Sequence, residues 1–358
     1  MLEFDLKSPD ELSEADWSLW NEMQAGNPSL DSPYFLADFV RAVADVRRDV
    51  QVTVIRERGE TVGFFPFQRG MLNLGKPVGG KLSDYHGVLS RNDLSFDVEH
   101  LLRASGLASW DFDHLVAGQQ AFAKCVQANA ASPFLDLSKG FDEYAKDRRE
   151  AGSDSLANLG RKIRKFERDQ GELRFVWHDA TEKSFESLLQ WKSSQYRATG
   201  LADVFEFPWT TALLRRIRDG EKADFGATIS TLYAGERLAA ACYCLRGRKV
   251  LHAWFNAYDP ELAVYSPGLV LFERMARAAE EHGIAKIDLG KGDERYKRSL
   301  ASSSTQLWEG SVELNSLSVW LRNGWRRTRD WMQHSSLGGV ARTPGRIVQP
   351  IRQWMAYH

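Results

Sequence analysis

Cysteine is scarce in this 358-residue chain, where Cys125, Cys242 and Cys244 are the full complement. An odd, sparse set without CxxC spacing argues against a disulfide framework or a structural zinc and suits a reducing compartment. Net charge is also nearly absent: 47 Lys+Arg stand against 48 Asp+Glu, for a formal charge of -1, so no global field commits the chain to DNA or another polyanion. Long apolar runs are missing. The longest, Leu238 to Leu245, is far below the roughly 20 residues that span a bilayer. The first residues, Met1-Leu-Glu-Phe-Asp-Leu-Lys7, lack the basic-then-apolar pattern of a leader, so a cytoplasmic protein is expected. The eight histidines show no HxH or HExxH spacing, and no metal site is expected. With neither GxSxG nor a P-loop, serine-hydrolase and NTPase readings lose their usual support.

What remains is a composition able to fold. Hydrophobic residues make up 43% and aromatics 11%, which excludes wholesale disorder, and at roughly 150 residues per domain the length suggests two. The first 47 residues predict two helices, one from the recurrence of Leu12, Leu19, Trp20 and Met23 and one after Pro33. Val50 to Ile55 and Thr61 to Phe67, separated by Arg58-Gly59-Glu60, predict a hairpin. Residues 71 to 90 are glycine-rich. Residues 141 to 170 predict a charged helical bridge, in which Lys, Arg, Glu and Ala dominate.

Beyond Gly171 a second unit is predicted. It has a strand from Leu173 to Trp177, helices in 182–198 and 209–218, and strands in 226–232, 237–245 and 249–257. A helix over 268–282, a strand from Lys286 to Leu289, a short helix near 294–300 and a strand from Gln306 to Leu314 complete it. Arg58-Gly-Glu-Thr-Val-Gly63 echoes Ala234-Gly-Glu-Arg-Leu-Ala239. The same helix, helix, hairpin order surrounds both, which suggests a duplicated α/β unit. The expected boundaries are 1–140 for the first unit, 141–171 for a connector, 172–315 for the second unit and 316–358 for a tail.

One segment carries chemistry. A strand ending near Tyr258 leads to Tyr265-Ser266-Pro267-Gly268 and a helix with Leu269, Phe272, Met275, Ala276 and Ala279 on its apolar face. Ser266 can cap, Pro267 suits the first turn, and Gly268 lets another group approach the backbone. Free N–H groups at such a start favour an anion, for example a pyrophosphate.

The order of elements resembles the GNAT acyltransferase fold, in which the glycine-led helix grips the pyrophosphate of acyl-CoA. The fuller resemblance is to tandem-GNAT acyltransferases of the CelD type, associated with cellulose and exopolysaccharide synthesis and related to the FemABX peptidoglycan transferases. In those families the matching segments read roughly Tyr-x-Pro-Gly, then a helix, then Asp-x-Gly-x-Gly-Asp-x-x-Tyr-Lys. This chain has Tyr265-Ser-Pro-Gly268 and Asp288-Leu-Gly-Lys-Gly-Asp-Glu-Arg-Tyr-Lys297. The match is specific over about 174 to 315 and looser before it. It implies an α/β fold of two tandem GNAT-like α/β/α units with mixed, mostly antiparallel sheets. It also implies acyl-CoA, foremost acetyl-CoA, as co-substrate, with Tyr265, Ser266, Pro267 and Gly268 at the donor.

By the same resemblance Lys297 stabilises the oxyanion of the tetrahedral intermediate, and Tyr296 and Asp288 lie toward the substrate. Read as a residue alone, Lys297 is a surface lysine, and Asp288 equally suits a cap on the Gly290-Lys-Gly292 loop. In the first half, Leu82-Ser-Asp-Tyr-His-Gly87 corresponds to the acceptor-facing segment. There Asp84 or His86 would take the acceptor's proton beside Tyr85, although Ser and Asp also favour plain turns. On the helix over 182–198, Lys192 falls on the face of Phe185, Leu188, Leu189 and Tyr196, where a lysine usually snorkels to solvent. Gln195, Tyr196 and Arg197 suit a sugar hydroxyl or phosphate. Cys242 and Cys244 read as packing residues, and Arg161-Lys-Ile-Arg-Lys-Phe-Glu-Arg168 as a solvated face with a phosphate-rich ligand as the lesser option.

The tail holds Arg322, Arg326, Arg327, Arg329, Arg342, Arg346 and Arg352, opposed only by Asp330, with Trp320, Trp325, Trp331 and Trp354 between them. Such a segment suits docking on the inner membrane face or on a synthase complex, or packing back on the domains. The leading expectation is transfer of an acyl group, foremost acetyl, from acyl-CoA to an amine or hydroxyl of a sugar or polysaccharide-pathway intermediate. Two alternatives stay open: transfer from aminoacyl-tRNA, as in FemABX proteins, and a non-catalytic scaffold.

Overall fold

The structure is a computed structural model that describes residues 1–91, 94–153 and 155–314. The tail over 316–358 lies outside the described residues. Strand β1 (Leu2–Lys7) precedes helices α1 (Glu14–Ala25) and α2 (Ala37–Val46), the hairpin of β2 (Val50–Glu57) and β3 (Glu60–Arg69), and the short strands β4 (Leu74–Lys76) and β5 (Leu89–Ser90). Helix α3 (Val98–Ala104), β6 (Ser109–Val116), β7 (Val126–Asp136), α4 (Phe141–Glu150) and α5 (Ser155–Gln170) follow. Next come β8 (Leu173–Val176), α6 (Glu182–Thr199), α7 (Pro208–Asp219), β9 (Gly226–Ala234), β10 (Arg237–Arg246) and β11 (Val250–Tyr258). The series ends with α8 (Pro267–Ala278), β12 (Lys286–Asp288), α9 (Arg295–Leu300) and β13 (Ser303–Glu313).

Contacts divide the described residues into two compact units, one of residues 1–30, 40–129 and 307–314, the other of 31–39 and 130–306. In the first unit the strands run β1-β2-β3-β4-β6-β13, with β5 against β3. Its β2–β3 turn holds Arg58 at φ 54° and Gly59 at φ 84°, the left-handed pair that a two-residue hairpin turn matched to strand twist requires. Helix α1 starts at a capping box in which the Ser13 hydroxyl accepts from the Asp16 amide, and it buries Trp20 against Phe64.

In the second unit the order is β7-β12-β11-β10-β9-β8. Its core gathers Phe166 of α5, Cys242 and Cys244 of β10, Leu251 of β11, and Leu271 and Met275 of α8, all buried. β4–β6 and β11–β12 pair in parallel, whereas β1–β2, β2–β3, β6–β13, β7–β12, β8–β9, β9–β10 and β10–β11 are antiparallel, so the sheets are mixed and mostly antiparallel.

Each unit contains one series of elements. A strand, two helices and a hairpin appear as β1-α1-α2-β2-β3 and again as β8-α6-α7-β9-β10, and the outer strand pairs antiparallel with the first hairpin strand in both. A strand, a helix and a parallel strand follow, as β4-α3-β6 and β11-α8-β12.

The structure departs from the sequence-based expectation in four places. Residues 2–7 form a strand, because Leu2, Phe4 and Leu6 alternate with charged residues and the segment finds β2 as partner. The bridge over 141–170 is two helices, broken near Gly152 at φ 77°. Residues 31–39 belong to the second unit, where Tyr34 packs edge-on against His252 and Trp254 and Asp31 pairs with Lys286 at 3.3 Å. Strand β13 was expected to complete the second unit, yet from Leu307 to Glu313 it pairs antiparallel with β6 of the first.

Candidate functional site

In the second unit the parallel ladder between β11 and β12 covers only Val250–His252 against Lys286–Asp288. Beyond it β11 runs on to Tyr258 while the other chain turns away through Leu289-Gly290, so the ladder opens into a notch. An unladdered strand edge offers N–H and C=O groups to an extended partner. The Asn256 amide donates to the Tyr296 hydroxyl at 3.3 Å, and Tyr296 stacks on Phe272 of α8.

The start of α8 lies at the end of the loop leaving β11. Ser266 sits at φ 57°, ψ 54°, a region that non-glycine residues reach at a cost and that often marks a functional turn. Its carbonyl accepts from the Leu269 and Val270 amides, whereas its side chain does not cap the helix. Instead the Ser266 hydroxyl accepts from Lys162 Nζ at 2.6 Å. Pro267 has no N–H to satisfy. Gly268 is half-exposed, and the nearest atom to a Cβ placed there would be a Tyr258 ring carbon at 3.6 Å. Tyr265 is buried and stacks on Phe166 of α5 with centroids 4.6 Å apart, while its hydroxyl donates to Asp169 at 3.3 Å. Tyr265 thus braces α5 against the helix start instead of presenting its ring outward. Lys165 stands 5.8 Å from that ring.

Arg161, Lys162, Arg164, Lys165 and Arg168 are all exposed, so α5 brings a cationic face to the helix start. A positive helix end with added cations and an accessible glycine amide suits a polyphosphate. Sequence reading had treated 161–168 chiefly as a solvated face. The clue available was the spacing of Leu159, Ile163 and Phe166, which places the cations on the opposite side of the helix.

The loop after β12 is held from both ends. Asp288 is 1% exposed, and its Oδ1 accepts from the Gly290 amide at 2.9 Å and the Ser132 hydroxyl at 2.7 Å. It is therefore the cap of the loop, packed in the core. Lys297 is 5% exposed, not a solvated surface lysine. Its ammonium donates to the carbonyls of Gly290 at 3.2 Å and Lys291 at 2.8 Å and pairs with Glu294 at 3.2 Å. Three acceptors fill its three donors. Glu294, whose side chain is 55% exposed, is the partner most readily exchanged. Gly292 lies at φ 138°, and a Cβ there would come within 3.1 Å of Lys297 Nζ, so the loop needs glycine at that point.

Helix α6 packs across β10 and β11. Lys192 is half-buried and does not snorkel free. Its ammonium donates to Gln195 Oε1 at 3.1 Å and stands 5.3 Å from the Tyr196 ring. Burial pushes its pKa down, the charge of Lys297 adds to that effect, and Cys242 and Glu294 oppose it. Tyr196 packs on Phe205, which in turn meets Phe255 of β11. Arg197 pairs with Asp203 at 2.9 Å and so fastens the end of α6.

In the first unit Tyr85 is 2% exposed, its ring buried in the interior. His86 is 6% exposed, and its Nε2 accepts from the amides of Asp113 at 3.2 Å and His114 at 2.9 Å. A lone pair so engaged is not available to take a proton. Asp84 is half-buried, with Oδ1 3.7 Å from His114 Nε2. His114 Nδ1 in turn lies 3.0 Å from Asp113 Oδ1, and Lys81 pairs with Asp113 at 2.7 Å. Burial alone would raise the Asp113 carboxyl. The hydrogen bond to His114 and the charge of Lys81 outweigh it and hold the group well below the usual carboxylate range. This carboxylate–imidazole–carboxylate line of Asp84, His114 and Asp113 was not read from the sequence. Its only signal was polar residues inside Ser109-Trp-Asp-Phe-Asp-His-Leu-Val116. Lys81 and Asp113 also line a cavity of about 400 Å³ with Lys76, Asp111, Gln127 and Ser311.

Among the described residues no group of three or more His, Cys, Asp or Glu is arranged to hold a metal ion, and no helix is long and apolar enough to cross a membrane.

Residues 153–298 match the acetyltransferase (GNAT) domain model. No curated protein matches the chain. Among solved structures it is similar to FemX, at 10% identity over 89% of this chain and 99% of that one with a TM-score of 0.58. It is also similar to a tandem GNAT protein from the clavulanic acid biosynthesis pathway, at 11% identity over 87% and 98% with a TM-score of 0.50. A third is the C-terminal domain of a protein described as a lysylphosphatidylglycerol synthetase from Agrobacterium fabrum, at 12% identity over 89% and 97% with a TM-score of 0.50. The chain has a GNAT/Fem-like fold, and the acetyltransferase domain matched over residues 153–298 supports a transferase.

Proposed function

We propose that the chain transfers an acyl group, foremost acetyl, from acyl-CoA to an amine or hydroxyl of a sugar or polysaccharide-pathway intermediate. GNAT domains generally use acyl-CoA, and the start of α8 fits its pyrophosphate. The observation that carries the donor reading is the half-exposed Gly268 beside the Lys162–Ser266 contact, with the cations of α5 alongside. The corresponding helix of the first unit argues that this site is single. Asp97 caps α3 by accepting from the Glu99 amide, so two carboxylates occupy the position that an anion would take.

The reaction would be direct. The acceptor's amine or hydroxyl attacks the thioester carbonyl, the tetrahedral intermediate collapses, and the CoA thiolate leaves. Lys297 would turn one donor from Glu294 to the developing oxyanion while keeping its two carbonyl partners. Asn256 and Tyr296 would line the notch. In the first unit Asp84, backed by His114 and the ionised Asp113, is the group best able to take the acceptor's proton. The sugar acceptor rests on the CelD-type resemblance, and the tail over 316–358 on its composition as a contact to a membrane face or synthase complex.

A second reading, transfer from aminoacyl-tRNA, has one observation in its favour: α5 exposes five cations, more than a pyrophosphate needs. An assay of CoA thiol release from acetyl-CoA with a panel of amino sugars and nucleotide sugars tests the first reading. Acceptor-dependent release supports it. Tight, steeply salt-dependent tRNA binding with no release would replace it with the second.

A further inference from the structure

We infer that the first unit carries a binding site of its own for an uncharged sugar, a cavity beside the opening of its sheet that holds one hexopyranose ring. The acyl-transfer reading does not use this site, and the two can fail separately.

The first unit opens its sheet much as the second does. The chain after β4 runs beside β6 as far as the parallel bridge of His86 with Leu115, where the Val116 amide donates to the His86 carbonyl at 3.1 Å. It then crosses to β3, with Leu89 opposite Phe64 and Ser90 opposite Gly63. Val88 lies in the gap, and a side chain closes the strand edge there. Gln119 Oε1 accepts from the Val88 amide at 2.9 Å, and its Nε2 donates to the Val88 carbonyl at 3.2 Å. Gly87 leaves the room that this side chain fills, since a Cβ at that position would collide with it. The carboxamide takes the place of a strand and occupies the edge that an extended acyl-CoA arm would pair with. At α3 the carboxylates of Asp97 and Glu99 stand at the helix start and repel a pyrophosphate.

Beside this plug lies a cavity of about 470 Å³, within the roughly 300–1,000 Å³ of small-molecule sites. Its lining selects the ligand. Among the described residues that line it there is no carboxylate, and the one cation, Arg91, is paired with Glu57 at 3.0 Å. A charged ligand would lose its hydration there without a compensating partner. Asn27, Ser90, Ser95 and Gln120 bring amide and hydroxyl groups to the wall. Such groups both donate and accept, as the adjacent hydroxyls of a sugar ring do. The C–H face of the ring needs an apolar surface, and half-buried Leu94 and Phe96 provide it. Phe96 is braced edge-on against the buried Phe122, with centroids 6.0 Å apart. A ring seated there would anchor a glycan to the first unit, whichever of its groups is acylated.

The experiment is saturation-transfer NMR and titration calorimetry on the full chain. The probes are glucose, galactose, mannose, N-acetylglucosamine, linear tetramers of glucose and of N-acetylglucosamine, glucuronate and acetyl-CoA. The variants are Ser95→Trp, which fills the cavity, and Gln120→Ala, which removes an amide from its wall. Both positions are exposed, so each variant should melt as the parent does. The expected result is binding of at least one neutral sugar, with glucuronate weaker on the order of tenfold or more. Ser95→Trp should abolish that binding, Gln120→Ala should weaken it roughly fivefold, and Gly268→Glu should retain it. A tetramer that binds more tightly than its monomer assigns the site to a residue of a glycan, and equal affinity assigns it to a free sugar. Binding of no neutral sugar, binding unchanged in both cavity variants, or a preference for glucuronate overturns the inference. So does a second equivalent of acetyl-CoA that Ser95→Trp removes, which would make the cavity a donor site. Sugar binding without CoA release from any acceptor leaves this site standing while the transfer reading fails.

Discussion

Gly268 and Lys297 separate two demands that one residue can serve. At Gly268 a Cβ meets only the Tyr258 ring at ordinary contact distance, so the backbone alone does not require glycine there. Gly268→Ala should therefore fold with a melting temperature at or slightly above the parent's, because alanine is the better helix former by about 1 kcal/mol. A large loss of stability in thermal melts would contradict that. Lys297 is the opposite case, because its side chain holds the loop as well as any chemistry. Lys297→Met would leave the Gly290 and Lys291 carbonyls without their donor, at a cost of about 1–3 kcal/mol each when buried. The expectation is a clearly lowered melting temperature together with lost transfer. Unchanged stability with lost transfer would assign Lys297 to chemistry alone.

At this scale the motifs were plainer in the sequence than the packing of their residues. Tyr265-Ser-Pro-Gly and the Asp288-to-Lys297 segment were readable because each is local, with its spacing written along the chain. Burial was not readable: Asp288, Tyr85 and His86 look like reactive groups in one dimension and pack in the core in three. The Asp84–His114 contact joins residues thirty positions apart through the His86 bridge to β6, and nothing local announces it.

Among the elements, α5 is the one whose meaning changed most. Its charge was evident, but the contact of Lys162 with Ser266 depends on how α5 packs against the start of α8. Reversing the charge at Lys162 with Lys162→Glu should weaken acyl-CoA binding roughly tenfold, equivalent to about 1.4 kcal/mol, and flatten its salt dependence. Titration calorimetry at two salt concentrations reads both. Unchanged affinity would remove α5 from the donor site.

Helix α6, which carries Lys192, depends on the buried Asp179 at its start. Asp179 accepts from Tyr233 at 2.6 Å, Ser184 at 2.7 Å and Thr181 at 2.7 Å. Burial pushes this carboxyl up, yet those hydrogen bonds outweigh it and bring the pKa from an ordinary 3.8 to about 2. A group with a depressed folded pKa contributes stability that is present above its unfolded value and lost as pH falls through the folded one. Asp179→Asn should therefore be less stable than the parent at neutral pH, by about 1–3 kcal/mol. The gap should close as pH falls from about 4 towards 2. Denaturant titrations across that window check it, and a gap independent of pH would mean that the carboxylate's charge plays no part.

Over the whole chain, the duplication explains why the sequence read so well in one respect and so poorly in another. Element types follow local periodicity, and nearly every predicted helix and strand has its counterpart within a few residues. Partners follow from distant pairing. Strand β13 joins β6 of the first unit, and residues 31–39 join the second unit, although both lie in the wrong part of the chain for a simple division into halves. The tail over 316–358 follows the last described strand, and the donor site is built without it. A chain ending at 315 should bind acyl-CoA as the full chain does. Loss of binding by a truncated chain that still melts cooperatively would show that the tail contributes to the donor site.

The most direct measurement is a melting scan with and without acetyl-CoA and longer acyl-CoAs, on the parent chain and on Gly268→Glu. Saturation at about 100 times the dissociation constant adds roughly 2.7 kcal/mol to the folded state, which is a rise of several degrees for a chain of this size. The account predicts that rise in the parent and its loss in a Gly268→Glu protein that melts normally without ligand. An equal rise in both, or none with any acyl-CoA, would contradict the placement of the donor at the start of α8.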